Sequence, residues 1–129
     1  MAKFKKFEEI EAWKKARILS NSIYKETNIN FQNDYALIRQ IRRSSGSIMD
    51  TIAEDFGRGG NKEFIQFLYI SKGSAAETKS QLYRALDQKY ISEGTFESLY
   101  KLADDIGNMI GRLIQYLKTS EYKGLKYKK

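Results

Sequence analysis

Between Phe96 and Leu117 the apolar residues Phe96, Leu99, Ala103, Ile106, Ile110, Leu113 and Leu117 advance by alternating steps of three and four. That spacing keeps one stripe of a helix apolar over about three heptads. Ser92 stands where an N-cap belongs, with Glu93 in the first turn. Three earlier segments carry the same rhythm. One begins near Glu8 and uses Ile10, Trp13, Ala16, Ser20, Ile23 and Thr27. The next begins near Asp34 and uses Ile38, Ile41, Ser45, Ile48, Ile52 and Phe56. The third runs from about Asn61 through Phe64, Leu68, Ser71, Ala75, Thr78, Leu82 and Ala85. Breaks fall near Asn28–Asn33, Gly57–Gly60 and Lys89–Ser92. Connections this short favour antiparallel neighbours. The pattern predicts an all-α, antiparallel up-and-down four-helix bundle over residues 8–117, with an N-terminal arm of residues 1–7 and a C-terminal tail of residues 118–129.

Two secondary patterns refine this picture. Small residues collect midway along each helix: Ala12, Ala16 and Ser20, then Ser44 to Ser47, then Gly73 to Ala76, then Gly107 and Gly111. Reflection through the three breaks brings Ala16, Ser45, Gly73 and Gly107 to one level. A glycine inside a helix costs about 1 kcal/mol relative to alanine, so the level reads as a tight waist where backbones approach. The run Phe64 to Ile70 is apolar nearly all round, and Leu102, Met109, Ile114 and Tyr116 lie outside the seam of the fourth helix. A helix on the edge of a bundle needs only one apolar stripe. Self-association is one remedy, with Ile65, Phe67, Tyr69, Met109 and Ile114 expected nearest the interface. A wide, loosely aromatic core is the other.

Composition removes whole classes of chemistry. The 129 residues include no proline, histidine or cysteine. Average usage near 5% would place roughly six prolines in such a chain, so their absence agrees with long helices. Without cysteine there are no disulfides and no thiolate sites; without histidine the usual metal ligands and neutral-pH proton shuttle are missing. No metal or other cofactor is expected. No signal-peptide pattern opens the chain and no stretch nears about 18 apolar residues, so a cytoplasmic location without membrane contact is expected. Lys plus Arg number 23 and Asp plus Glu 16, a net charge of +7. The segments before Glu8 and from Lys118 onward hold eight lysines and one glutamate, so the whole net charge sits at the two ends. Basic arms attract polyanions, nucleic acid above all, and they also serve solubility.

Residues Gln40-Ile41-Arg42-Arg43-Ser44-Ser45-Gly46-Ser47-Ile48, then Thr51-Ile52-Ala53-Glu54-Asp55, then Gly57-Arg58, form a recognisable signature. It resembles that of the four-helix-bundle proteins encoded in 23S ribosomal RNA intervening sequences. Phe7 with Trp13 and Ala16, Tyr24 with Thr27 and Phe31, Glu63-Phe64 to Phe67-Leu68, Gly73-Ser74-Ala75 with Glu77, and Gln81-Leu82 extend the likeness over residues 7–117. Thr51, Asp55 and Gln32 depart from it, standing where the family has Asn, Gly and a common Pro. The resemblance implies an up-and-down bundle commonly assembled as a ring-like homopentamer. A distant branch comprises accessory proteins of diversity-generating retroelements, which pair with a reverse transcriptase and bind nucleic acid through a basic barrel. A reverse transcriptase or a ribosomal component is therefore an implied partner.

Candidate sites follow from charge and spacing. Arg39, Arg42 and Arg43 make a basic turn that could hold phosphates; Glu77, reflected opposite residue 41, could instead pair with Arg42 or Arg43. Arg58 and Lys62 flank a glycine-rich break before a helix, which is either a phosphate seat or a plain hairpin loop. Glu54 could pair with Arg58 one turn on. Lys118, Lys123, Lys126, Lys128 and Lys129 alternate with tyrosines, a pattern suited to single-stranded RNA or DNA or to a solvated tail. Adjacent carboxylates such as Glu54-Asp55 and Asp104-Asp105 point about 100° apart on a helix, a poor arrangement for catalysis. A non-catalytic nucleic-acid-binding homo-oligomer is the expectation, and a protein-interaction scaffold the alternative.

Overall fold

The computed structural model describes residues 4–56 and 60–127, with the side chains of residues 55 and 120–127 left out. Helix α1 spans Glu11–Ile29, α2 Tyr35–Phe56, α3 Asn61–Asp87 and α4 Glu93–Tyr127, after a 3₁₀ turn at Phe7–Glu9. Each helix packs on its chain neighbours, and α1 closes the square against α4. The starts follow local chemistry. The Asp34 carboxylate accepts the Leu37 N–H at 3.2 Å, and Ser92 Oγ accepts that of Thr95 at 3.1 Å. Helix α3 ends without glycine: Lys89 takes φ 62°, while the N–H groups of Lys89 and Tyr90 close on the carbonyls of Leu86 and Ala85. Tyr90 then stacks on Phe31 at 5.3 Å and donates its hydroxyl to Asp34, joining the first and third turns at one end of the bundle.

The core contains Leu19, Ile23, Ile41, Ile48, Ile52, Leu68, Leu82, Ile106 and Ile110, all fully buried. Between α2 and α3 it is partly polar. Ser44 Oγ donates to Gln81 Oε1 at 2.5 Å and lies 2.9 Å from Thr78 Oγ1; Gln81 Nε2 donates to Glu77 at 3.4 Å. Ser71 Oγ donates to the Ile48 carbonyl at 2.7 Å, across the same seam.

Three expectations need correction. Ile65 and Ile114 are only 7% and 1% exposed, so they belong to the monomer's core and offer nothing to a second subunit. The reason is geometric: a helix at the corner of a square bundle faces two neighbours, which widens its buried stripe. Phe67 and Met109 are half-buried, and Tyr69 alone of the five is well exposed. The small-residue level exists through Ala16, Ser45, Ala75 and Ala103, each buried. Gly73, however, is on the outer face, where an added Cβ would meet no atom within 4 Å, and at Gly107 the Cβ would only touch that of Ala75 at 3.9 Å. The waist is built by alanine and serine on the seam, and the glycines lie beside it. Lastly, α4 does not break at residue 118; its backbone is helical to Tyr127.

On the outer side of α3 and α4, Lys79 Nζ donates to Asp104 at 2.8 Å and lies 5.2 Å from the Tyr100 ring centroid. Tyr100 in turn clusters with Tyr83 and Phe96, the three ring centroids 4.8–5.6 Å apart. The hydrogen bond to Asp104 raises the Lys79 pKa above 10.5 despite opposing desolvation, and the same bond, then the lysine charge, lowers that of Asp104 below 3.8. Depression of Asp104 adds stability above the ordinary carboxylate range, lost as pH falls through its folded pKa; elevation of Lys79 adds stability lost only as pH rises past its own. Asp104→Asn should thus lower the melting temperature at neutral pH and shrink its fall under acid, read by circular dichroism across pH. Gly73→Ala should raise stability by about 0.5–1 kcal/mol, whereas Ala75→Leu should cost about 1–3 kcal/mol by overpacking, both measurable by urea titration.

Candidate functional site

Helix α2 crosses α1 with its first half against the last turns of α1, and the contact is made by Arg42. Its Nε donates to Thr27 Oγ1 at 2.8 Å and its terminal nitrogen to Asn28 Oδ1 at 2.8 Å, while the guanidinium lies 4.5 Å from the Tyr24 ring centroid. Thr27 can accept because its own proton goes back to the Ile23 carbonyl at 2.8 Å. Every partner of Arg42 is neutral. Glu77, expected to pair with Arg42 or Arg43, instead takes the hydrogen bond from Gln81. That correction has a simple cause: Glu77 lies along the α2–α3 seam, and Arg42 is drawn to the α1 side. Arg39 and Arg43 are exposed and make no ion pair among the described residues.

These three arginines line a groove of about 710 Å³ with Ser20, Tyr24, Gly46, Met49, Asp50 and Glu54. It runs on into a second hollow of about 700 Å³, which shares Ser20, Tyr24 and Met49 and adds Trp13, Lys14, Arg17, Ile18 and Asn21. Five cations border the pair of hollows against two carboxylates, Asp50 and Glu54, and one of the five, Lys14, is paired with Glu11 at 3.7 Å. Arginine presents a planar fork of donors, and one already oriented by neutral partners meets an anion at a low entropic cost.

The other candidate cations do not join them. Lys62 is exposed in the first turn of α3, at the opposite end of the bundle. Lys118 donates to the Tyr69 hydroxyl at 2.8 Å, so it docks on α3. Arg58, Lys128 and Lys129, and the side chains of Lys123 and Lys126, lie outside the described residues, as does any pair of Glu54 with Arg58. Among the described residues no group of three or more acidic side chains is placed to hold a metal ion, and no helix is long and apolar enough to cross a membrane.

Sequence reasoning missed Lys14, Arg17, Tyr24, Thr27 and Asn28. Reflection through the first turn, the same device that placed Ala16 near Ser45, sets Thr27 opposite Asp34, just before α2 begins. The long Arg42 side chain reaches back to Thr27 across that offset, which residue spacing alone does not reveal. Arg42→Met keeps the aliphatic stem and removes the fork. It should cost about 1–2 kcal/mol, and Thr27→Val should couple with it non-additively in a double-mutant cycle read by thermal unfolding.

The sequence model of the 23S rRNA-intervening sequence protein family matches residues 8–112. A solved structure from Bacteroides thetaiotaomicron, described as a protein with unknown function from the S23 ribosomal protein family, superposes with a TM-score of 0.73 at 26% identity. The match covers 80% of this chain and 97% of that one. No protein of curated function matches. The four-helix architecture and the match over most of the chain place this protein in the 23S rRNA-intervening sequence protein family.

Proposed function

We propose that the protein is a non-catalytic, homo-oligomeric nucleic-acid-binding protein that holds phosphates on the arginine turn of α2. One observation carries the reading: Arg39, Arg42 and Arg43 share a groove and find no carboxylate partner among the described residues. A cation left without an anion is available to one in solution, and a row of phosphates offers several at once. The names of the family and of its solved neighbour, with their 23S rRNA and ribosomal protein, make RNA the first polyanion to test. A ribosomal component or a reverse transcriptase remains the implied protein partner. The basic ends of the chain add long-range attraction.

Self-association rests on apolar surface that the monomer leaves wet. Ile29 and Tyr35 at the first turn are 81% and 60% exposed, and Tyr69, Ile70 and Tyr83 are exposed at separate positions on α3. Two different patches on separate corners suit a heterologous, ring-closing contact. Five subunits come from the family resemblance alone. A ring repeats the arginine turn at fixed spacing and turns weak contacts into avidity.

Arg39 and Arg43 are exposed and make no hydrogen bond or ion pair among the described residues, so Arg39→Gln with Arg43→Gln should leave the melting temperature unchanged. RNA affinity by fluorescence anisotropy should fall by about tenfold or more, and the slope of log affinity against log salt should shrink by about 1.5. An unchanged affinity overturns the reading and favours a protein-interaction scaffold. Light scattering should give a mass several times 15.0 kDa; a stable monomer overturns the ring.

A further inference from the structure

The arginine turn occupies only one end of the α1–α2 hollow. Beyond Tyr24 and Met49 the lining changes character: Trp13 and Met49 are half-buried, Ile18 is 56% exposed, and Asn21 offers an amide with no hydrogen bond among the described residues. Trp13 is held edge-on by Phe7 at 5.1 Å, so its ring is fixed before anything binds. Arg17 borders this apolar stretch, as does Lys14 in an exposed pair with Glu11 at 3.7 Å, while Asp50 and Glu54 line only the first hollow. From Thr27, level with Arg42, to Lys14 the distance along α1 is about 20 Å at 1.5 Å per residue.

Cations at both ends of an aromatic and aliphatic trough, with a free amide between them, match a chain of phosphates that carries bases. A bare polyanion would gain nothing from Trp13, Ile18 and Met49. A duplex keeps its base faces stacked inside and is too wide for a trough between helices packed about 8–10 Å apart. A single strand can turn its bases inward and keep its phosphates on the arginines. Resting on the nucleic-acid reading above, we infer that the α1–α2 trough is a single-strand site: Arg39, Arg42, Arg43 and Arg17 take phosphates, and at least one nucleobase lodges against Trp13, Ile18 and Met49.

The sequence contains one tryptophan, and it lines the trough, which supplies a direct readout. Full-length protein is titrated with oligouridylate, oligothymidylate, a duplex of equal length, inorganic polyphosphate and polyglutamate. Trp13 emission and, for labelled strands, anisotropy are recorded. Both single strands should quench or shift Trp13 emission saturably. Polyphosphate should leave the emission unchanged. Ile18→Ser, at an exposed position that leaves the circular dichroism spectrum unaltered, should weaken single-strand binding by about tenfold and leave polyphosphate binding as it was. Asn21→Ala should weaken the single strands in the same selective way. Single-strand binding seen by anisotropy without a Trp13 response overturns the trough while leaving the nucleic-acid reading intact. Duplex binding of equal strength with no effect of Ile18→Ser does the same. Polyglutamate binding as tightly as the oligonucleotides, or no binding of any nucleic acid, overturns both.

Discussion

Buried hydroxyls between α2 and α3 constrain this bundle more tightly than its hydrocarbon does. Leucine and isoleucine tolerate small slips of one helix along another; a buried hydroxyl without a partner costs about 1–3 kcal/mol. Ser44 Oγ meets Gln81 and Thr78 across the seam at shorter range than the Ile41 carbonyl of its own helix, and Ser71 donates across it to the Ile48 carbonyl. Moving α3 by one residue turns its side chains by about 100° and would break these cross-helix bonds together. The polar seam therefore sets the register, and the apolar residues fill the space that this register leaves.

The consequences reach the opposite side of α2. With Ser44, Ser45 and Ile48 turned inward, Arg42 falls on the α1 side, and Arg39 and Arg43 remain at the surface. Glu77 completes the seam by accepting from Gln81, and so the carboxylate that could have neutralised the arginines is engaged elsewhere. Arg42 is anchored by a hydroxyl, an amide oxygen and a ring face, none of which carries formal charge. Anchoring by neutral groups orients a guanidinium and leaves its charge unspent. The same neutral anchoring fastens α1 to α2 where the trough opens, so structure and binding share one residue.

The two faces of the bundle solve their electrostatics differently. Across α3 and α4, Lys79 meets Asp104, and Lys101 meets Asp105 one helical turn away at 3.2 Å. Lys118 ends against Tyr69. Along α1 and α2 the cations outnumber the acids that border them. A chain whose central segment is electrically balanced thus acquires a positive face through the arrangement of its charges, with no surplus in their number.

Much of this was legible in the order of residues. The three–four spacing in each segment fixed four helices, because a helix must turn one stripe to the core, and Ser92 and Asp34 marked helix starts by their capping chemistry. The arginine turn was visible as a cluster. Which side of a helix a residue takes beyond its main stripe was not, since a corner helix buries two faces; Ile65 and Ile114 were lost to the core, and Gly73 was left outside it, for that reason. Nor could spacing name Thr27 as the neighbour of Arg42. Reflection through a turn favours Glu77 and leaves Thr27 about two helical turns away, a gap closed by the long arginine side chain. The choice depends on rotations of about 100° per residue, which are settled only when all four helices pack and every buried hydroxyl has found its partner. The sequence alone determined the helices, their antiparallel order and the basic residues available. Tertiary packing decided which charges were neutralised and which were left facing a groove.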